Sequence, residues 1–195
     1  DLLYDFMGAD QTRLDAYRRA FEKHVPGKVV LDIGTGKDAV LARMCANAGA
    51  EKVYAVELLE EAAAAASQLV RQLGLSDRIT VIQGDIRRID LERRVDVCAQ
   101  SIVGNIGSAD GIIPIWNSAQ RLFAPDCLPV PLRCSTYIAA VELPETLRTT
   151  PRFNALARRY LGRLVGEKES EFDVRLCVRN FPGSGLISEP AVFED

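Results

Sequence analysis

The chain has 195 residues, 48% of them hydrophobic and 26% charged, with a formal net charge of −3. That length suits one well-buried α/β domain with a small appendage, and the small negative charge supplies no general attraction to nucleic acid or to an anionic membrane. No apolar run nears the roughly 20 residues that span a bilayer, and no leader pattern opens the chain, so the expectation is a cytoplasmic protein. The five cysteines are odd in number and none stands in a CxxC pair. They read as reduced thiols, with neither a metal site nor a disulfide framework. A first residue other than Met and an end at AVFED read as a piece excised from a longer polypeptide.

In chain order, residues 10–24 carry Leu14, Tyr17 and Phe21 at helical spacing behind Asp10, a residue type suited to an N-cap. Pro26-Gly27 ends that helix, and Val29–Ile33 is a continuous apolar run of the kind covered on both faces of a parallel sheet. The pattern then alternates: helix Ala39–Ala48, strand Lys52–Glu57, helix Leu59–Leu73 closed by Gly74, strand Arg78–Gln83, strand Val95–Gln100, helix Ile112–Phe123 and strand Leu128–Val130. Such alternation predicts a parallel sheet with ligands at the carboxyl ends of its strands. From about residue 132 the pattern changes to an antiparallel strand over Arg133–Leu143, a helix over Pro151–Leu164 and a strand over Phe172–Val178. The division expected is therefore a helical lead-in (1–25), a nucleotide-binding core (26–131) and an incomplete β-rich extension (132–195).

Four features converge on the carboxyl ends of the first four strands. Asp32 and the turn Gly34-Thr35-Gly36 bring backbone close to a ligand. Glu57 ends the second strand 25 residues after Asp32, where an acid accepts ribose hydroxyls. Asp85 and Ile86 follow the third strand, where an acid meets the exocyclic amine of adenine. The loop Ser101–Gly111 follows the fourth and lines the reacting centre. A dinucleotide would set its pyrophosphate at the helix terminus after the glycine turn, and Asp38 there would repel it. S-adenosylmethionine (SAM) has no phosphate, so the expected cofactor is SAM, with S-adenosylhomocysteine as product. A nicotinamide dehydrogenase is the rival reading.

With VVLDIGTG, VYAVE and the spacing Asp10-x-x-Arg13-x-x-x-Tyr17, the chain resembles class I SAM-dependent methyltransferases of the arginine-methyltransferase-like branch. The resemblance implies a Rossmann-like sheet with helices on both faces plus a truncated β-rich C-terminal extension. It also implies that Arg13 pairs with the methionine carboxylate of SAM. That branch carries two glutamates on the loop after the fourth strand; here the first position holds Ser101, and Asp110 stands near the second. Its adenine-contacting acid falls on Arg87, which leaves Asp85 as the substitute.

The tract SIVGNIGSADGIIPIWNSAQRLFAPDCLPVPLRCSTYIAAVELPE, with GTGKDA, is more closely similar to O-methyltransferase domains of modular polyketide synthases of the stigmatellin type. That likeness implies methylation of a hydroxyl or enol on a chain tethered to an acyl carrier protein's phosphopantetheine arm, with neighbouring synthase domains as partners. A basic side of Arg152, Arg158, Arg159 and Arg163 then reads either as a solvated face or as a carrier docking face. Asp110 and Asn105 are the candidate catalytic residues, because His24, the lone histidine, ends the leading helix. An arginine N-methyltransferase and a non-catalytic SAM-binding domain stand as alternatives.

Overall fold

Strand β1 (Val29–Ile33) is buried at all five positions and lies in the middle of a five-stranded sheet. The computed structural model describes residues 10–104, 106–150, 152, 153, 155, 157–159 and 181–195. Described residues up to Cys134 form one unit, and those from Ser135 to Glu194 a second. In the first unit β2 (Lys52–Glu57), β3 (Ile79–Gln83), β4 (Val95–Gln100) and β5 (Phe123–Val130) complete a sheet of order β3-β2-β1-β4-β5. Every neighbouring pair is parallel.

Because side chains alternate across a strand, β1 feeds two separate cores. Val30 joins Phe21 of α1 (Gln11–His24), Ala42 and Cys45 of α2 (Val40–Asn47), and Ala66 and Val70 of α3 (Glu60–Gln72). Val29, Leu31 and Ile33 point the other way, toward Ala119 of α4 (Ile112–Ala119) and Phe123. Helices thus cover both faces, as the alternation predicts. Burying each of these valine, leucine, isoleucine and phenylalanine side chains contributes about 1.5–3 kcal/mol. The alanine run serves this layering, since Ala63 and Ala66 are buried on α3 along with Val70 and their methyl groups let the helix lie close to the sheet.

Two stretches differ from expectation by more than a residue at either end. Helix α4 stops at Ala119, and a short 3₁₀ turn, Gln120–Leu122, leads directly into β5. Phe123 belongs to the strand because it pairs with Val95 and its ring stacks 4.8 Å from Trp116. In the second unit, β6 covers only Thr136–Ile138 and runs antiparallel to β7 (Ala191–Glu194). The ladder fails at Ala140, whose N–H donates to Ser188 Oγ in place of a strand carbonyl. A short helix α5 (Glu145–Thr149) follows Pro144. The expected helix over 151–164 lies largely, and the strand over 172–178 wholly, outside the described residues.

No helix among the described residues is long and apolar enough to cross a membrane. Nor does any group of three or more metal-ligating side chains occur among them. Cys45 and Cys98 are buried free thiols, pushed up from their ordinary pKa by that burial.

Candidate functional site

After Ile33 the chain crosses the top of β2. The N–H groups of Gly34 and Thr35 both donate to the Val56 carbonyl, at 2.9 and 3.0 Å. The Gly36 N–H donates to Glu57 Oε2 at 2.8 Å. Gly34 and Gly36 hold φ +73° and +67°, a left-handed backbone that residues with a Cβ adopt at a cost of about 1 kcal/mol or more. A Cβ on Gly34 would stand 3.5 Å from the Ile102 side chain, an ordinary contact, so it is the left-handed backbone and not lack of space that calls for glycine there.

Asp32 lies beneath this turn, 1% exposed. Its Oδ2 accepts from Thr35 Oγ1 at 2.6 Å and from the Ala42 N–H at 3.1 Å. The second bond satisfies one of the orphan amides in the first turn of α2, which has no side-chain N-cap. Asp32 is therefore turned to the loop's own atoms. Burial pushes its carboxyl up to about 6, against the pull of Thr35 and Ala42 and with the nearby charge of Glu57 adding to the rise. Asp38 is half-buried in the turn ahead of α2, beside Ala39 at φ +45°.

Glu57, 5% exposed, closes β2 and binds the turn from the side. Its Oε1 accepts from the Leu59 N–H at 3.0 Å while Oε2 holds Gly36. A carboxylate has about four acceptor positions, so two are left for hydroxyl donors. Beyond β3, Ile86 is buried in the core and Asp85 is gripped by Arg87.

Helix α1 reaches the end of β4 from the far side of the sheet order. Tyr17 Oη donates to the Gln100 carbonyl at 2.7 Å, and Arg13 Nη2 donates to the Ser101 carbonyl at 3.3 Å. Burial raises the Tyr17 pKa, opposed by Arg13, whose guanidinium carbon sits 5.9 Å from its ring centre. The structure thus brings Arg13 and Ser101 together through the Ser101 backbone. Replacing Tyr17 with Phe removes one hydrogen bond and should cost about 1 kcal/mol, a melting temperature lower by about 2–4 °C in a chain of this size. An unchanged thermal melt would show that the contact does not anchor α1.

On the loop after β4, Asp110 folds back on Gly104: its Oδ2 lies 3.1 Å from where a Gly104 Cβ would stand. Asp110 is exposed, and Asn105 lies outside the described residues. His24 is exposed in the last turn of α1. Thr35 and Gln100 were not singled out from the sequence, yet Thr35 bonds Asp32 and Gln100 Oε1 accepts from the Ile102 N–H at 2.7 Å. A hydroxyl three residues after a strand acid was the signal for Thr35; Gln100 offered none. At the opposite, amino end of the sheet a shallow cavity is lined by Asp90, Arg93, Arg94 and Arg121, but its arginines are committed to Glu51, the Phe123 carbonyl and Asp90.

The buried strand-end carboxylate, the glycine turn and the guanidinium above β4 fit a ligand carrying ribose hydroxyls and a carboxylate. A family model described as a methyltransferase domain matches residues 30–125. These residues thus form a methyltransferase domain with the class I SAM methyltransferase fold.

Its relatives narrow the comparison. It is 30% identical over 147 residues to a probable protein arginine N-methyltransferase 6 of Arabidopsis thaliana, covering 73% of this chain and 33% of that protein. It is 34% identical over 144 residues to protein arginine N-methyltransferase 6 of Danio rerio, 72% of this chain and 41% of that protein. Among solved structures it resembles the Trypanosoma brucei PRMT1 enzyme-prozyme heterotetrameric complex with AdoHcy. That match has TM-score 0.69 and 27% identity over 76% of this chain and 47% of the other. The chain spans about a third to two fifths of the length of these curated relatives.

These findings overturn the expected polyketide O-methyltransferase: the relatives are named arginine N-methyltransferases, and no likeness to a polyketide synthase emerges. The acyl carrier protein and the neighbouring synthase domains fall as partners with it. The expectation leaned on Ser101, the tract 101–145 and GTGKDA, whereas the likeness to the relatives extends over 147 residues.

Proposed function

We propose that this chain is the cofactor-binding part of an enzyme that transfers a methyl group from SAM to the guanidinium of an arginine side chain in a protein. The observation that carries the reading is the 30% identity over 147 residues to an arginine N-methyltransferase. Geometry supports it at both ends of the reaction. SAM, once bound, supplies an electrophilic methyl group on a sulfonium. Glu57 accepts the ribose hydroxyls on the acceptor positions its backbone partners leave open. Arg13 turns from the Ser101 carbonyl to the methionine carboxylate, a fork that matches a carboxylate in two contacts. Gly34 and Gly36 keep backbone, and no side chain, against the ligand.

On the acceptor side a guanidinium is a planar cation that a carboxylate orients through charge-assisted hydrogen bonds. Asp110 is the exposed carboxylate on that loop, and Gly104 leaves room for it to fold back. With Ser101 neutral, orientation falls on Asp110, which also takes the proton the nitrogen loses as the N–CH₃ bond forms. Positioning of this kind is the main source of rate in an in-line displacement.

The test is transfer of radiolabelled methyl from SAM to a glycine- and arginine-rich peptide, beside the same peptide with lysine at each arginine. Label should enter the first peptide and not the second. Asp110→Asn should slow transfer on the order of 10²-fold while leaving affinity for S-adenosylhomocysteine unchanged. Binding of S-adenosylhomocysteine without labelling of the arginine peptide would refute the acceptor assignment.

A further inference from the structure

Next along the sheet edge from Glu57 stands a second carboxylate, Asp85. Glu57 lies opposite Gln83 in the β2–β3 register, and the Gly84 N–H donates to the Glu57 carbonyl at 2.9 Å. A Cβ on Gly84 would meet Ile89 Cγ2 at 2.9 Å, so the chain turns tightly there and presents Asp85 immediately beyond the strand. The Asp85 carbonyl accepts from the N–H groups of Arg88 and Ile89, and its Oδ1 accepts from the Arg87 N–H at 3.0 Å. The carboxylate is thus held in place by its own turn.

Arg87 then lies across it. Its Nε donates to both carboxylate oxygens at 2.9 Å, and Nη2 donates to Oδ2 at 2.5 Å. With the Arg87 backbone bond these contacts fill the roughly four acceptor positions of a carboxylate. The Asp85 side chain is 20% exposed and that of Arg87 is 60% exposed, so the guanidinium is the outer member of the pair. The pair also holds the Asp85 carboxyl down to about 2, so it is ionised at any working pH. An exposed ion pair of this sort adds little to folding stability, so removing Arg87 leaves the turn folded.

We propose that Arg87 is a cover on a purine-reading carboxylate, and that it sets how strongly this chain distinguishes adenine from a purine with a carbonyl in place of the exocyclic amine. The inference rests on the SAM-binding reading above. While Arg87 is in place, an amine gains no free oxygen on Asp85. With the guanidinium gone, an adenine amine can donate to Asp85, whereas a purine carbonyl sets lone pairs against it.

Calorimetry on the full chain with S-adenosylhomocysteine and with S-inosylhomocysteine tests this. Wild type should prefer the adenine compound by no more than about threefold. Arg87→Ala and Arg87→Gln should each widen that preference to about tenfold or more, the scale of one charge-assisted hydrogen bond. Asp85→Asn, and Asp85→Asn combined with Arg87→Ala, should return it to the wild-type value. If both Arg87 variants bind S-adenosylhomocysteine with the wild-type preference, the cover is refuted and the SAM reading stands. If neither wild type nor the variants bind S-adenosylhomocysteine, both fall.

Discussion

Glu57→Gln should bind S-adenosylhomocysteine on the order of 10²-fold more weakly than wild type, a loss of about 2.7 kcal/mol. In wild type each oxygen of the buried carboxylate already holds one backbone amide, from Gly36 and Leu59, and offers its remaining position to a ribose hydroxyl. Hydrogen bonds to a charged acceptor contribute about 1.5–3 kcal/mol each. The Gln amide keeps a single acceptor oxygen and turns an NH₂ toward either Gly36 or Leu59, so one ribose contact and one backbone contact are lost together. The orphaned amide should lower folding stability by about 1–3 kcal/mol, visible in a denaturant titration. Glu57→Ala, which loses both backbone partners, should be less stable than Glu57→Gln. Calorimetry showing Glu57→Gln within threefold of wild type would remove Glu57 from the cofactor site.

Asp32→Asn should change how stability depends on pH. The folded carboxyl of Asp32 titrates at about 6, against an ordinary value of 3.8. A raised folded pKa means the protonated form favours folding: that contribution is fully present below pH 4 and is lost as pH rises through 6. Keeping Asp32 ionised at neutral pH then costs about 3 kcal/mol relative to its protonated form. Asn is neutral throughout, and its carbonyl can receive both Thr35 and Ala42, which in wild type share one oxygen, Oδ2. The variant should therefore gain on wild type by about 3 kcal/mol between pH 4 and pH 8, read from denaturant midpoints at each pH. Parallel stability curves for the two proteins would contradict the burial of a charged Asp32.

Where local chemistry decides structure, the sequence was readable. Strands β1, β2 and β4 begin and end at the expected residues because their largely apolar runs are buried on both faces. Helix α4 was expected to continue through Phe123 because its apolar residues favour either state; the pairing with Val95, distant in sequence, and the contact with the Trp116 ring claim Phe123 for the sheet. The same holds at the site. Gly34, Gly36 and Glu57 could be placed from their intervals, and the hydroxyl three residues after Asp32 was a signal for its bond to Thr35, but nothing in the chain announced that Gln100 would receive the Ile102 N–H or that Arg87 would lie across Asp85. The acceptor was misjudged for a related reason. One neutral residue at position 101 weighed too heavily, although the Ser101 contact seen in the structure runs through its carbonyl, which any residue has.

The strand order β3-β2-β1-β4-β5 has a consequence for how such a protein changes over generations. With β1 in the middle, Glu57 and Asp85 hang from one half of the sheet and the loop bearing Asp110 from the other. Under the reading proposed above, a lineage can rewrite the loop beyond β4, and with it the molecule that is modified, while inheriting the donor machinery intact. Helix α1, which under that reading carries the donor-binding Arg13, is itself bonded to Gln100 and Ser101 where that loop begins, so drift in the loop would be felt there first.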